Sequence, residues 1–311
     1  MSGLPLVSIV TPCLNMAPFL ETTIESVLAQ DYPNLEYIVI DGGSTDGSVE
    51  ILARHGGRLR FSSGPDGGTA DAVNRGFRQS RGSIFAFLSA DDLYAPGAVS
   101  AGVRHLTSDP GAGGVYGEAV WLNAAGEPLG PYPTREFDRE QLARECFICQ
   151  PACFLRREVF EEAGMLDPSL RSAFDYDLWI RVAARHRLRK IGEWLAFSRM
   201  HRRNKSLGER RRMFSEVTAV LRKHYAYVPF SWLYGYCCYL VDGRDQFYEP
   251  LRPSMLKYAL SLPFGLAYNP RQPLRYWKDW SAAASFAGLW RRWNAVSPPG
   301  TFGIGPDSVD R

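Results

Sequence analysis

Residues 83–92, SIFAFLSADD, are the stretch that best indicates the fold, because an apolar run ends there in two adjacent carboxylates. The six residues that end at Leu88 suit a buried strand and are too few for a helix. Asp91 and Asp92 would then lie at the strand's carboxyl end, the edge at which open α/β sheets bind ligands. Mg²⁺ and Mn²⁺ bind carboxylate oxygens and complete their shells with phosphate and water, so a metal-bound phosphate ester is one hypothesis. The alternative is that Asp92 caps a helix predicted over residues 95–107.

Length and composition set the outer limits. A chain of 311 residues is long for one core, so we expect one large domain with an appendage, or two domains. No apolar run reaches the roughly 18 to 20 residues that a membrane-spanning helix needs. The start, MSGLPLVSIV, lacks the basic region and apolar core of a signal peptide. We therefore expect a cytoplasmic protein.

Three of the six cysteines, Cys146, Cys149 and Cys153, are close enough in sequence to raise the question of a zinc site. No cluster of histidine or cysteine lies nearby to complete the ligand set. Buried, reduced thiols are the better interpretation.

The first ninety residues alternate between short β-rich runs and helical patterns. The predicted strands span residues 7–11, 36–40, 59–61 and 83–88. The predicted helices begin at Pro18, Ser48 and Thr69. Pro12 should end the first strand, because proline cannot donate to a ladder. Strands that alternate with helices indicate a parallel sheet, so the predicted fold class is α/β.

Nucleotide-binding glycine motifs are missing from this alternation. Neither GxGxxG nor GxxxxGK[ST] follows any predicted strand, which disfavours a Rossmann dehydrogenase and a P-loop enzyme. The strand ends offer hydroxyl and carboxylate side chains instead, which we expect on one rim of the sheet. They are Thr11, Asp41, Asp66, Asp91 and Asp92.

Five segments in order give the sequence a family resemblance. They read VSIVTPCLN, VIDGGSTDGS, GPDGGTADAVNRGFRQSRG, FLSADD and FDYDLWIR. This order resembles the family 2 glycosyltransferases of the GT-A fold, in particular those that build bacterial surface polysaccharides. The resemblance extends over residues 6–206, and five motifs in the right order are far more specific than one alone. It implies a mostly parallel sheet flanked by helices.

The resemblance also implies roles for individual residues. Asp41 would accept from a ring N–H of the nucleotide base, and Asp92 would bind the metal, Mn²⁺ or Mg²⁺. His201 lies in a segment like the family's R-x-H-x-x-x-x-S motif and would be a second metal ligand. Gln150 would lie beside the acceptor. The implied nucleotide-sugar-binding residues are Thr11, Pro12, Asp41, Asp66, Arg75 and Asp91.

Residues 174–181, FDYDLWIR, are a second centre of chemistry. Asp175 and Asp177 stand at the start of a predicted helix, where one side chain can cap the backbone and the other can project into a pocket. In the family the first Asp of this motif is the general base. The resemblance therefore makes Asp175 the base and leaves Asp177 as the cap.

The second half of the chain differs in charge and composition. Over residues 181–223 basic residues far outnumber acidic ones, an asymmetry hidden in the net charge of +3. No nucleic-acid module accompanies them, so we expect no nucleic-acid partner; anionic lipid or a diphosphate-linked acceptor fits better. Beyond Tyr225 the chain becomes aromatic and broken by prolines. The predicted domains are a GT-A catalytic domain over residues 1–227 and a helical appendage with a tail over residues 228–311, which packs on the catalytic domain or lies at a membrane.

These features together predict an inverting, metal-dependent glycosyltransferase of cell-surface polysaccharide synthesis. The expected donor is a nucleotide diphosphate sugar, in the first place a UDP-sugar. The expected acceptor is a saccharide or a polyprenyl-diphosphate-linked sugar. The protein would work in the cytoplasm, with peripheral contact to the anionic inner face of the cell membrane.

Two alternatives stay open. A sugar-phosphate nucleotidyltransferase shares a parallel sheet and metal carboxylates, but it should begin with a Gly-rich loop where this chain has TPCLN. A non-catalytic nucleotide-sugar-binding relative would suit two departures from the family pattern. The first acid of the DxD motif is missing here, and Cys13 stands where relatives often place an aromatic residue.

Overall fold

A computed structural model describes residues 3–201, 204–243 and 254–283. The chain divides into two compact units. The first consists of residues up to 121 with 134–137 and 148–199, and the second takes in residues 122–133, 138–147 and the described residues from 200 onward. These units describe packing, and the predicted division into domains after residue 227 stays a prediction.

The described chain contains nine strands and twelve α-helices. The strands are β1 (Val7–Cys13), β2 (Leu35–Asp41), β3 (Arg60–Ser63), β4 (Ile84–Phe87), β5 (Leu93–Tyr94), β6 (Ala112–Leu122), β7 (Pro128–Pro131), β8 (Cys153–Arg156) and β9 (Arg187–Arg199). The helices are α1 (Ala17–Leu28), α2 (Ser48–Arg54), α3 (Thr69–Gln79), α4 (Ala98–Ser108), α5 (Arg139–Leu142), α6 (Arg157–Glu162), α7 (Phe174–Ala183), α8 (Lys205–Gly208), α9 (Arg210–Tyr225), α10 (Phe230–Asp242), α11 (Met255–Tyr268) and α12 (Pro273–Ala283).

The order of the strands places the ligand-binding edge of the sheet. β3, β2, β1 and β4 lie side by side and run parallel, which confirms the α/β prediction. Beyond β4 the order continues β8, β6, β9, β5, with antiparallel pairing of β8 to both β4 and β6 and of β5 to β9. Because β2 lies on one side of β1 and β4 on the other, the strand order reverses between β1 and β4. Ligands of open α/β sheets bind at such a reversal, outside the carboxyl ends of the strands.

β1 continues through Pro12 to Cys13 and so passes its predicted end. The N–H of Leu88 donates to the carbonyl of Val10 at 2.9 Å, so Val10 faces β4, and Pro12, two residues on, faces the same way. β4 has already ended at Phe87, so the N–H that proline lacks has no strand to bond. The prediction that Pro12 ends the strand is therefore wrong.

The helix after the acidic pair begins later than predicted. α4 starts only after Gly97, which has a left-handed φ of 76°. In between, β5 pairs with β9, with Leu93 opposite Phe197. Asp92 therefore precedes a strand, and its alternative role as a helix cap is wrong.

The second unit is mainly helical. In it Tyr258 of α11 stacks on Trp280 of α12 with ring centroids 4.4 Å apart, and Trp280 Nε1 donates to the Tyr258 carbonyl at 3.0 Å. Three helices of the predicted C-terminal appendage are present, whereas its residues 244–253 and 284–311, with the predicted tail, lie outside the described residues. Of the helices that the structure describes, none combines the length and apolarity needed to span a membrane.

Candidate active site

Asp91 and Asp92 are both buried just beyond the carboxyl end of β4. Arg199, the last residue of β9, holds them: its backbone N–H donates to Asp92 Oδ1 at 2.8 Å, and its Nε donates to the Asp91 carbonyl at 3.0 Å. From α1, the hydroxyl of Thr23 lies 2.9 Å from the carbonyl of Ala90 and 2.9 Å from that of Asp92. The loop that carries the two carboxylates is thus fixed by two different elements.

The electrostatics of the pair favour a cation. Burial and the neighbouring charge of Asp91 raise the pKa of Asp92 well above its usual range, although hydrogen bonds from Arg199 and Ser198 oppose the shift. Carboxylate oxygens are the ligands that Mg²⁺ and Mn²⁺ prefer, and a bound cation would relieve the repulsion between the two charges. Within the described part of the chain, no three His, Cys, Asp or Glu side chains gather into a group that could hold a metal. A cation here would therefore take most of its ligands from water and phosphate oxygens.

Asp41 ends β2, directly opposite Cys13 of β1. Its Oδ2 accepts from the N–H groups of Gly43 and Ser44 at 3.0 and 2.9 Å and from the Ser63 hydroxyl at 2.6 Å. The Ser44 hydroxyl donates to Oδ1. Burial alone would raise the pKa of Asp41, but these hydrogen bonds outweigh burial and lower the pKa below its usual range. Asp41 is therefore ionised and holds the loop after β2 in place.

The side chains of Thr11 and Cys13, at the end of β1, are buried in the core, although Thr11 was predicted to contact the nucleotide base. The Thr11 side chain is buried and accepts from the Tyr37 hydroxyl at 3.1 Å, so its backbone is the part left to meet a nucleotide. Burial and the charge of Asp41 raise the pKa of the Cys13 thiol to about 12, so this thiol stays protonated. The contacts of Thr11 and Pro12 with a nucleotide stay predictions.

The loops after β2 and β3 meet at a glycine. Asp66 Oδ2 lies 2.9 Å from the place where a Cβ on Gly42 would stand, and Asp66 Oδ1 accepts from the N–H of Gly68 at 2.7 Å. Arg75 forms an ion pair with Asp71 on α3, with 2.8 Å between Nη2 and Oδ2. Asp66 is thus placed beside the loop of the second strand, whereas the contact of Arg75 with a nucleotide stays a prediction.

Asp175 lies in the first turn of α7. Burial raises the pKa of its carboxyl from an ordinary value of 3.8 to about 6, despite a hydrogen bond from the Tyr176 N–H at 2.8 Å. The ring of Phe174 lies 6.5 Å from that of Phe87, the last residue of β4, and Gln150 Nε2 donates to the Phe87 carbonyl. The structure therefore links the start of α7 and Gln150 to the strand that leads into the acidic pair.

Asp177 does not hold the N-cap position of α7, which belongs to Ala173. The helix begins after Ala173, whose side chain makes no cap hydrogen bond, and Asp177 is fully buried in the first turn. Its Oδ2 lies 2.7 Å from Nε of Arg181, and Arg181 Nη2 donates to the Met165 carbonyl at 2.7 Å. Asp177 therefore acts through Arg181, which ties down the loop before α7.

Asp177→Asn should lower the free energy of unfolding by about 3 kcal/mol, since removing one partner of a buried ion pair costs about 3–5 kcal/mol and Arg181 is partly exposed. Urea denaturation measures the loss. A matched control is Glu161→Gln, because Glu161 forms an ion pair with Arg157 at the same i,i+4 spacing but is 51% exposed. The control should lose at most about 0.5 kcal/mol. Equal losses in the two variants would contradict this role of Asp177.

Four residues that position the site were not predicted from the sequence. Ser44 and Ser63 hold Asp41, and Thr23 and Arg199 hold the acidic loop. Ser44 lies in the segment VIDGGSTDGS, where Asp, Gly and Ser together are typical of a turn. No sequence pattern around Ser63, Thr23 or Arg199 indicates their roles, because each bonds to a residue that is distant in the sequence.

His201 is buried and belongs to the second unit. Its carbonyl accepts from the N–H of Asn204 at 2.9 Å. Its role as a metal ligand stays a prediction.

Ion pairs engage several cations of the basic stretch over residues 181–223. Arg187 Nη2 lies 2.6 Å from Asp109 Oδ2, and Lys190 Nζ lies 2.6 Å from Glu118 Oε1. Both acidic partners lie outside the stretch. The excess of basic residues within the stretch is therefore larger than the positive charge that is left without an acidic partner.

The family is decided by a sequence profile. The profile described as Glycosyl transferase family 2 matches residues 8–164, about half of the chain. This chain belongs to glycosyl transferase family 2. An uncharacterized glycosyltransferase of Rickettsia typhi is 30% identical to this family member over 205 residues, 63% of this chain and 64% of the relative. A PGL/p-HBAD biosynthesis glycosyltransferase of Mycobacterium bovis is 31% identical over 182 residues, 57% of this chain and 69% of the relative.

The chain spans less than two thirds of the length of the Rickettsia typhi relative, and its match covers only 27% of a relative from Rickettsia bellii. Two solved structures share the fold of this family 2 chain. S. aureus TarS 1–349 in complex with UDP-GlcNAc has a TM-score of 0.63 at 13% identity, over 94% of this chain and 89% of that chain. The mannosyltransferase PcManGT from Pyrobaculum calidifontis, in complex with GDP-Man and Mn²⁺, has a TM-score of 0.59 at 21% identity, with the same coverage of both chains. The predicted GT-A fold is confirmed.

Proposed function

We propose that this family 2 protein moves one sugar from a nucleotide diphosphate sugar to an acceptor hydroxyl, with inversion at the anomeric carbon. The observation that carries the proposal is the buried pair Asp91 and Asp92, which follows β4 where the strand order reverses. Asp175 lies in the same compact unit, and its pKa of about 6 suits a general base at neutral pH.

The donor chemistry of the acidic pair fits a divalent cation, Mn²⁺ or Mg²⁺. Asp92 is the proposed ligand, with His201 as a second one, and Asp91 is proposed to contact the ribose or the sugar. When bound, the cation would neutralise the charge that develops on the departing diphosphate. The Mn²⁺ in the complex of the mannosyltransferase from Pyrobaculum calidifontis, which shares the fold, supports this proposal.

Asp175 is proposed to take the proton of the acceptor hydroxyl while that oxygen attacks the anomeric carbon from the face opposite the diphosphate. Because its pKa is about 6, this carboxylate is ionised in most molecules at pH 7 and is still basic enough to accept a proton. One base and one displacement give inversion. Gln150, whose amide bonds to the end of β4, is proposed to lie beside the acceptor.

The loops after β1, β2 and β3 are proposed to hold the nucleotide. Hydrogen bonds to Asp41 and Asp66 hold the loops after β2 and β3 in place, and a loop that is held rigidly loses little conformational entropy on binding, which favours affinity. The donor is proposed to be a UDP-sugar, since TarS, which shares the fold, is described with UDP-GlcNAc. The proposed contact residues are Thr11, Pro12, Asp41, Asp66, Arg75 and Asp91.

The proposed acceptor is a saccharide or a polyprenyl-diphosphate-linked sugar of cell-surface polysaccharide synthesis. A diphosphate-linked lipid is reached at the inner face of the cell membrane, so we place the protein in the cytoplasm with peripheral contact there. A relative named for PGL/p-HBAD biosynthesis supports a biosynthetic role.

The donor proposal is tested by unfolding temperatures with a panel of nucleotide diphosphate sugars, measured with Mn²⁺ and again with a chelator. A ligand at a hundred times its dissociation constant stabilises the native state by about 2.7 kcal/mol. We expect one nucleotide to raise the unfolding temperature by several degrees, and only with the cation. Equal unfolding temperatures with and without every nucleotide of the panel would overturn the proposal.

A further inference from the structure

The water-exposed side of α11 carries no polar residue. Met255 is 78% exposed and Leu256 is 62% exposed. The exposed residues recur at intervals of four, so they form one stripe along the helix. They are Met255, Leu256, Ala259, Leu260, Pro263 and Ala267. A surface helix ordinarily turns its polar face to water, so the polarity of α11 is reversed.

The polar residues of α11 lie on its buried side and are satisfied there. Lys257 is buried, with Nζ 2.5 Å from Asp242 Oδ2 of α10. The hydroxyl of Tyr276 on α12 donates to the Ser261 carbonyl at 3.0 Å. A Cβ on Gly265 would stand 1.8 Å from Cζ of Tyr276, so the two helices touch at this glycine. These contacts fix the rotation of α11, and the apolar stripe cannot turn inward without breaking them.

The neighbouring helix α12 adds aromatic and cationic side chains. Leu274 is 75% exposed and Trp277 is 52% exposed. The acidic residue of this helix, Asp279, accepts from the Tyr227 hydroxyl at 2.6 Å and so faces its own unit. The exposed charged residues between positions 254 and 283 are all cationic: Arg271, Arg275 and Lys278.

This combination fits an anionic lipid surface. Apolar side chains, a tryptophan and neighbouring cations are the features by which interfacial helices bind anionic membranes. A second copy of the chain would bring the same cations against these, and like charges oppose such an association. With 14 residues α11 is too short to span a bilayer, so it would lie in the plane of the interface.

We propose that α11 inserts Met255, Leu256 and Leu260 into the headgroup region of an anionic membrane, while the cations of the segment 254–283 meet the lipid phosphates. The inference rests on the proposed location at a membrane but not on the transfer chemistry. In this proposal, insertion of apolar side chains contributes most of the binding to the membrane. The basic stretch over residues 181–223 contributes less, because several of its cations form ion pairs within the protein.

The test is flotation of the full chain with vesicles of equal parts phosphatidylglycerol and phosphatidylcholine, and with phosphatidylcholine alone. The double variant Leu256→Gln/Leu260→Gln places good helix formers at two exposed positions, so the fold should be kept. We expect its partition onto anionic vesicles to fall at least about tenfold, because two inserted side chains are lost. The double variant Arg271→Gln/Lys278→Gln should lose the preference for anionic over neutral vesicles.

A matched control removes the same number of exposed apolar side chains from the first unit. Leu4→Gln/Trp194→Gln, at positions 56% and 51% exposed, should partition like the wild type. Nucleoside diphosphate release in solution, measured on the same variants, keeps this inference separate from the proposed transferase activity. Three results would overturn the inference: a wild type that floats with neither vesicle, a Leu256→Gln/Leu260→Gln variant that floats as well as the wild type, or a wild-type dimer in sedimentation velocity that this variant dissociates.

Discussion

Asp175→Asn should lower turnover by at least about a hundredfold and leave nucleotide affinity nearly unchanged. A general base contributes about 10² to 10⁴ in rate, and asparagine has the size of aspartate but cannot accept the proton. The proposed contacts with the cation and the nucleotide lie on other loops, so binding of the donor should persist. Steady-state rates together with calorimetric titration of the nucleotide separate the two effects.

The pH dependence of the same variant is a second readout. Wild-type kcat should fall on the acid side with a midpoint near pH 6, because Asp175 becomes protonated there, and the variant should lack this limb. Stability should change in the opposite sense. The folded pKa of about 6 lies above the ordinary value of 3.8, so the stability that this carboxyl contributes is present below pH 3.8 and is lost as pH rises through 6.

Asparagine at position 175 does not ionise, so the variant does not lose stability as the pH rises through 6. Asp175→Asn should therefore unfold at a higher temperature than the wild type at pH 8, and the two proteins should converge near pH 4. A variant with normal turnover would show that the base lies elsewhere. A variant that loses nucleotide affinity in proportion to rate would show that Asp175 binds the donor instead.

Asp92→Ala should abolish the cation-dependent part of nucleotide binding. In the wild type a cation would offset the repulsion between the diphosphate and the acidic pair; without its ligand, the diphosphate would meet the charge of Asp91 uncompensated. Titration calorimetry with and without Mn²⁺ measures the effect. Asp92→Asn is the companion variant, because it keeps an acceptor for the Arg199 N–H and thus the shape of the loop.

The control for this substitution is Asp109→Ala, which changes the net charge by the same amount and removes a carboxylate that forms an ion pair with Arg187. It should bind the nucleotide with the wild-type dependence on Mn²⁺. If Asp92→Ala and Asp92→Asn keep that dependence as well, Asp92 is not the metal ligand.

Local patterns were sufficient to predict the parallel part of the sheet. β1, β2, β3 and β4 are short apolar runs bounded by turn residues, and each lies within a few residues of its predicted position. β9 was not predicted. Its sequence, RLRKIGEWLAFSR, mixes charges with apolar residues, and its charged side chains find partners such as Asp109 and Glu118 in distant parts of the chain.

The ion pair of Asp177 with Arg181 was also not predicted, because its importance depends on the tertiary fold. An acidic residue in the first turn of a helix is ordinarily assigned to the backbone or to the helix dipole. Here Arg181 stands four residues further on, and Asp177 is buried against it. The spacing was visible in the sequence as an i,i+4 pair, but its burial, which decides the energetic weight of the pair, depends on the tertiary fold.

The products formed from the nucleotide sugar test the central claim most directly. Wild-type protein is incubated with Mn²⁺ and the nucleotide sugar that stabilises it best, once with a saccharide acceptor and once with a polyprenyl-diphosphate-linked acceptor, and the nucleotides are separated by anion exchange. The proposed transferase releases nucleoside diphosphate and forms no triphosphate when pyrophosphate is added. Triphosphate that forms only with pyrophosphate would indicate a nucleotidyltransferase, and binding without any release would indicate a non-catalytic relative; either result would contradict the proposed function.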